Sequence, residues 1–152
     1  LKYGKPSEEE LNMTAYAPDT AATAVVLYSK NTARYDLINN EFRLVYTYET
    51  KIKILKSEGT SYADINIPFY SNANSGIMKE NVGQIDASAY NMENGKIVRT
   101  KMKRDLIFNE RLNKTYEQVK FSIPAVREGT VFEYKYQINS DFYYSINHWE
   151  AR

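Results

Sequence analysis

The clearest pattern in the chain is an alternation of apolar and polar residues from Phe42 to Leu55. Apolar and aromatic side chains occupy one parity, while Arg43, Glu49, Lys51 and Lys53 fill much of the other. Side chains alternate between the two faces of a β-strand, whereas a helix would scatter them around its circumference. The pattern predicts a strand with one face in a core and its charges in water. At about 3.3 Å per residue it is long enough that we expect a bend or bulge within it.

Similar alternation occurs from Val119 to Ile123 and from Phe132 to Ile138. A shift of one residue would move every apolar side chain of such a strand to the solvent face, so the shared parity defines the buried face. The predicted core contains Phe42, Leu44, Tyr46, Ile52, Ile54, Phe121, Ile123, Phe132, Tyr134 and Tyr136.

Other segments predict further strands and the turns between them. The β-rich run from Thr23 to Tyr28 predicts a buried strand, and the polar residues from Asn31 to Asp36 predict a turn after it. The dipeptide Asn94-Gly95 separates two strand-like runs. Both residues tolerate the positive φ angles of a type I′ turn, so a tight hairpin is expected there.

Helical signals are short. Ser7 and Glu10 have the spacing of a capping box, which predicts a helix of about two turns near the N-terminus. The charged segment from Lys103 to Gln118 has enough apolar residues for one covering helical turn. Pro68 lies in an alternating run and indicates an edge position or a strand end, because proline cannot donate to a sheet ladder.

Many short strands joined by Gly, Pro and Asn turns predict an all-β fold. We expect an antiparallel β-sandwich with a short N-terminal helix and one or two short covering helical turns. The 152 residues suit a single domain spanning residues 1–152. Because the chain lacks an initiator Met and ends in a strand-like pattern, we expect it to be an excised N-terminal domain of a larger protein.

Composition narrows the classes of function. The chain has 20 Lys and Arg against 19 Asp and Glu, and this near balance argues against a dedicated binder of nucleic acid or of anionic membrane surfaces. Its apolar runs are too short for a membrane-spanning helix, so no membrane insertion is expected. The absence of Cys excludes disulfides and thiolate chemistry, and one His cannot form a two-histidine metal site. We expect no cofactor and no metal.

The sequence contains no set of residues typical of an active site. Its only imidazole is His148, beside Trp149, and we interpret it as structural or part of an interface. The basic run from Lys96 to Arg104 could form an anion-binding patch, but its alternation with apolar residues is typical of the solvent-exposed face of a strand, which is the simpler interpretation. The isolated domain is therefore expected not to be an enzyme.

The tyrosine content is unusual, with 14 in the chain. Exposed rings could stack on sugars, for which Tyr143, Tyr144 and Trp149 are the best candidates. The simpler interpretation is that strands favour aromatic residues and keep the hydroxyl hydrated. The segment from Phe142 to Trp149 is also more apolar than an edge strand facing water would be, so these same residues are the candidates for an interface with another domain.

Four segments together resemble a known family: KIKILKSEG (residues 51–59), ADINIPFY (63–70), NMENGKIV (91–98) and FSIPAVREGTVFEYKY (121–136). The resemblance is to the domain of unknown function that precedes transglutaminase-like domains in Bacteroidetes envelope proteins. It implies a β-sandwich module of an exported protein that is periplasmic, associated with the outer membrane or secreted. It also implies a papain-like Cys-His-Asp domain downstream, and it assigns no catalytic or ligand residue to the module itself.

Two hypotheses about function follow. The first is a non-catalytic accessory module that docks on the downstream transglutaminase-like domain or on another protein. The second is a carbohydrate-binding module that stacks a glycan on Tyr143, Tyr144 and Trp149. A strip of solvent-facing rings would favour the glycan, and an apolar patch near the C-terminal strand would favour docking.

Overall fold

The computed structural model of the chain describes residues 3–38, 41–74 and 80–141. The strands in these residues are β1 (Ala24–Ile38), β2 (Glu41–Ile54), β3 (Asp64–Tyr70), β4 (Glu80–Glu93), β5 (Lys96–Lys101), β6 (Phe108–Arg111), β7 (Tyr116–Ser122) and β8 (Val131–Ser140). The helices are α1 (Glu8–Asn12) and two 3₁₀ helices, Ser57–Ala63 and Arg104–Leu106. The strands form a five-stranded sheet of order β1-β2-β8-β4-β5 and a three-stranded sheet of order β3-β7-β6. Their pairings are antiparallel, which confirms the predicted all-β fold.

The core lies between the two sheets. One face of the five-stranded sheet, called here the inner face, packs its apolar residues against those of the three-stranded sheet. Phe121 of β7 meets Tyr134 of β8 edge to face, with ring centroids 6.1 Å apart. Phe132 is fully buried beside Tyr134, and each such ring removes a large apolar area from water.

The predicted core is largely confirmed, with one error. Ile52 is partly buried against the cluster, and Phe42 is 58% exposed. The remaining predicted core residues are buried: Leu44, Tyr46, Ile54, Phe121, Ile123, Phe132, Tyr134 and Tyr136. Phe42 has the right parity, but it lies beyond Leu44, which is near the level where β3 ends. Parity identifies a face and cannot show how far along a strand that face is covered.

The first strand differs most from its prediction. The predicted turn at Asn31–Asp36 is wrong, because β1 continues through it and pairs residue by residue with β2. The strand is also not fully buried, since Val26 is 57% exposed on this edge of the sheet. The register shifts at Leu27, between Val26 and Tyr28, so the irregularity expected within residues 42–55 lies in the partner strand. Ladder hydrogen bonds to a neighbouring strand have overridden the local turn propensity.

The two local motifs are confirmed. Asn94 and Gly95 have φ angles of 51° and 77°, as a type I′ hairpin requires, and they join β4 to β5. The Ser7 hydroxyl accepts from the Glu10 N–H, and the Glu10 carboxylate accepts from the Ser7 N–H at 2.7 Å. Helix α1 has only 5 residues, so it is shorter than the expected two turns.

Two further predictions concern the smaller sheet. Pro68 lies on β3 at the edge of that sheet, as predicted. The segment from Lys103 to Gln118 contains the expected single turn, Arg104–Leu106, but it also contains β6, which was not predicted. All four residues of β6 are exposed, so its sequence carries no alternating apolar pattern that could have indicated a strand.

Candidate functional site

The residues predicted as an interface or sugar platform, Tyr143, Tyr144 and Trp149, lie outside the described residues, as does His148. The sugar-stacking hypothesis therefore stays a prediction. Strand β8 ends at Ser140, and the carboxylate of the next residue, Asp141, pairs with the Arg43 guanidinium. This ion pair defines the position of the last described residue.

An exposed apolar patch lies at this end of the sheet. Tyr35, Leu37 and Phe42 are 58%, 62% and 58% exposed, and we call them the hairpin-end patch. Leu37 is the cross-strand partner of Phe42, and Tyr35 is the partner of buried Leu44. All three therefore belong to the inner face, close to the turn that joins β1 to β2. Clustered apolar side chains on a surface are typical of interaction sites.

The opposite face of the five-stranded sheet, the outer face, is half covered by residues 3–13, which we call the N-terminal strap. The prediction that the charges of β2 lie in water is wrong for Lys51 and Lys53, which are both fully buried. The Lys51 ammonium lies 3.4 Å from both Glu10 carboxylate oxygens. Lys53 donates to the carbonyl oxygens of Leu11 and Gly129, each at 2.6 Å. The strap therefore supplies the partners without which these cations could not be buried.

A buried carboxylate completes the contact beneath the strap. Glu133 of β8 accepts from the Gly4 N–H at 2.7 Å and from the Tyr90 hydroxyl at 2.8 Å. Burial and the hydrogen bond to Glu133 raise the pKa of Tyr90 to about 12. Burial lowers the pKa of Lys53 to about 8. These groups hold a segment of backbone in place, and the arrangement is structural.

The other half of the outer face is an open groove of about 580 Å³. We call it the outer-face groove. Its lining comes from β1, β2, β4, β5 and β8 and from the turn after β5, and most of its side chains are charged or polar. Its floor places Lys135 of β8 between Glu49 of β2 and Asp86 of β4. Opposite charges on neighbouring strands stabilise such a row.

The strap and the groove meet at Tyr3. Its hydroxyl donates to the Asp86 carbonyl oxygen at 3.4 Å, and the Lys135 ammonium lies 5.0 Å from its ring centroid. Burial, followed by the charge of Asp86, raises the pKa of Tyr3, so the phenol stays neutral. Tyr3 therefore marks the boundary between the covered and the open half of the outer face.

The described tyrosines serve more than one role. On the inner face, Tyr134 and Tyr136 are buried and stack with ring centroids 6.4 Å apart. For these two residues, the structure supports the simpler interpretation that strands favour aromatic side chains. Tyr35 and Tyr62 are more than half exposed, on β1 and in the 3₁₀ helix before β3. Within residues 3–38, 41–74 and 80–141, no three His, Asp or Glu side chains converge as metal ligands do. None of the helices in these ranges has the length and hydrophobicity needed to cross a membrane.

Sequence reasoning did not identify the outer-face groove. Its floor residues come from three strands that are distant in the sequence, so no linear motif contains them. The basic run from Lys96 to Arg104 was the one available signal, and two of its cations, Lys101 and Arg104, do line the groove.

No protein-family model and no curated protein sequence matches the chain. Among solved structures, the chain is similar to a protein described as a putative protease from Parabacteroides distasonis, a member of the Bacteroidetes. The sequence identity is 11% and the TM-score is 0.49. The similarity covers 65% of this chain and 20% of that one, so the chain spans about a fifth of the length of this structural neighbour.

Proposed function

We propose that this chain is a non-catalytic interaction module that docks, through the hairpin-end patch, on a domain following it in the same polypeptide. The observation that carries the proposal is the position of the patch beside the point where the chain leaves β8. The partner in this proposal is a transglutaminase-like domain, and the setting is the periplasm, the outer membrane or the cell exterior. Both come from the family resemblance.

The geometry supports docking by a tethered partner. Ser140 of β8 lies opposite Leu44 of β2, and the next residue, Asp141, pairs with Arg43. Phe42 directly precedes Arg43 in β2, and neighbouring strands lie about 4.8 Å apart. A domain that follows Asp141 is therefore held close to the patch at a high effective concentration. Interfaces between domains of one chain bury about 600 to 1,500 Å², and an aromatic anchor such as Phe42 suits their centre.

The absence of catalytic groups in the sequence supports a non-catalytic role. A papain-like or transglutaminase-like reaction needs a thiolate paired with an imidazole, and the chain has no Cys and a single His. Any such chemistry in the full protein therefore has to come from another domain.

The test compares residues 1–152 with the longer natural polypeptide by hydrogen exchange. We expect residues 33–46 to gain protection in the longer protein, because the docked domain covers the patch. Phe42→Ser should abolish this gain and increase the radius of gyration of the longer protein in solution scattering. Phe108→Ser is the matched control, since Phe108 is 62% exposed on the other sheet and should leave both measurements unchanged.

Three results would overturn the proposal. The first is a natural polypeptide with no further domain after Arg152. The second is equal protection of residues 33–46 in both proteins, which would mean that the following domain does not cover the patch. The third is equal loss of protection in the Phe42→Ser and Phe108→Ser variants, which would indicate a general structural effect.

A further inference from the structure

The floor of the outer-face groove carries one more negative than positive charge. Lys135 lies between Glu49 and Asp86, so one cation faces two carboxylates across neighbouring strands. Glu49 also accepts a hydrogen bond from the Tyr28 hydroxyl at 3.1 Å, which uses part of the hydrogen-bonding capacity of its carboxylate. Any excess of positive charge in the groove must therefore come from its walls.

The walls carry an excess of positive charge. Arg34, Lys101 and Arg104 line the groove and are exposed. Arg34 donates to Asp36 at 3.0 Å, whereas the side chains of Lys101 and Arg104 form no hydrogen bond or ion pair with any part of the chain that the structure describes. These two unpaired side chains outweigh the single excess negative charge of the floor, so the groove keeps a small positive charge that favours an anionic ligand.

A backbone irregularity shapes the groove at its centre. The pairing of β4 with β8 shifts between Gly83 and Asp86, so that Gln84 and Ile85 together oppose Tyr136. Gln84 has a φ of 52°, which is uncommon for a residue with a side chain. Such bulges redirect side chains and are frequent beside functional sites, and local backbone strain also clusters there. Here the bulge places Gln84 in the groove lining.

Apart from Ile85, Met102 and Ile107, which pack against the core between the sheets, the groove offers hydrogen bonds and charge. Its one aromatic ring, Tyr136, is 8% exposed, so it provides no platform on which a neutral sugar could stack. The floor strands β2 and β8 are paired on both sides, whereas residues 84–86 of β4 pair with β8 alone, so only this short stretch of ladder is open to an extended peptide. Polar side chains such as Thr32 and Gln137 remain available. A hydroxyl-rich ligand with carboxylates matches this set of groups.

We propose that the outer-face groove binds an acidic oligosaccharide, with Lys101 and Arg104 pairing with its carboxylates. The lining extends from β1 to β5, which is four strand spacings or about 19 Å, so the ligand is elongated and lies across the strands. The neutral amides and hydroxyls of the groove bond to the sugar hydroxyls. This site is separate from the hairpin-end patch and does not depend on the docking proposal.

The experiment is a calorimetric titration of residues 1–152 with tetragalacturonate. The same tetramer with its carboxylates methyl-esterified tests the need for charge, tetraglutamate tests a peptide ligand, and citrate tests a free carboxylate without sugar. We expect binding to tetragalacturonate alone, weakened by added salt because the groove is open to solvent. No binding at millimolar tetragalacturonate would reject the proposal. Equal binding of the ester, of tetraglutamate or of citrate would reject the ligand class.

Variants then locate the site. The double variant Lys101→Gln, Arg104→Gln should raise the Kd by about tenfold or more, because it removes two charge-assisted contacts. The control is Lys103→Gln, which changes an exposed lysine between the two that does not line the groove, and it should leave the Kd unchanged. Equal weakening by Lys103→Gln would mean that the sugar binds to the general positive charge of the segment, and would overturn the assignment to the groove.

Discussion

The two faces of the five-stranded sheet are buried by different chemistry. The inner face packs aromatic and aliphatic side chains against a second sheet, and Phe132 and Ile138 there are completely buried. Under the strap, the outer face buries Lys51, Lys53 and Glu133 just as deeply. The two faces belong to the same strands and alternate residue by residue, so the difference lies in what covers each face.

The comparison separates burial from hydrophobicity. Burying an apolar side chain stabilises the fold under any cover that excludes water. Each such side chain contributes about 1.5 to 3 kcal/mol to the free energy of unfolding. A buried charge requires specific partners, and an ion pair in the interior gains little over well-packed apolar residues. We therefore expect the inner face to supply most of the stability, and the buried charges to determine where the strap lies.

The largest effect is expected on the inner face. Phe132→Ala should lower the free energy of unfolding by about 3 to 5 kcal/mol, because it leaves a cavity among packed side chains. Urea denaturation measures this loss. Phe108→Ala, at an exposed position, should change the free energy by about 0.5 kcal/mol or less. Similar losses for the two variants would contradict the placement of the core.

Breaking a charge contact under the strap should lower the free energy of unfolding by less than Phe132→Ala does. Glu10→Gln keeps an oxygen that can accept from the Ser7 N–H, but it leaves the Lys51 ammonium buried without a counter-charge. We expect a loss of about 1 to 3 kcal/mol in denaturant unfolding, the range for a buried group that loses its hydrogen-bond partner. Adding Lys51→Met should recover part of it, and the exposed Glu8→Gln is the control. A loss that Lys51→Met does not reduce would show that the two groups are not coupled.

The buried Lys53 gives a pH dependence of defined sign. Burial lowers its pKa to about 8 in the folded protein, so above pH 8 the unfolded chain binds more protons and stability rises with pH. Above about pH 10 the unfolded tyrosines ionise, whereas burial raises the pKa of Tyr3, Tyr90 and Tyr134 in the fold, and stability falls again. Unfolding measured from pH 7 to 11 should therefore show a maximum, with a rise of about 2 kcal/mol before it. Lys53→Met should remove the rise and keep the fall.

The smallest effect is expected in the open half of the outer face. Lys101→Gln combined with Arg104→Gln should leave the free energy of unfolding within about 0.5 kcal/mol of the parent, because both side chains are exposed and form no hydrogen bond or ion pair within the described chain. Thermal unfolding of the variant checks this. A clear loss would mean that these cations support the fold, and their place in a ligand groove would need another explanation.

Much of the local structure could be predicted from the sequence. The alternation in β2 and β8 defined the inner face, Asn94-Gly95 defined the hairpin, and Ser7 with Glu10 defined the start of α1. Each of these depends on residues that are close in the chain, so a local pattern contains the information. The predictions failed for β6 and for the length of β1, although each pairs with the next strand in the chain, because β6 has no alternating apolar pattern and the polar residues 31–36 resemble a turn. They failed for the candidate site because its floor comes from strands that are distant in the sequence.

The sequence by itself determined which side chains share a face, because the two-residue period of a strand is a local property. Only the tertiary structure decided how each face is covered. Phe42 has the parity of a core residue and is exposed because it lies past the end of the second sheet, whereas Lys53 has the parity of a surface residue and is buried because the strap crosses it. Burial depends on the whole surroundings of a side chain, and here those surroundings come from segments far away in the chain.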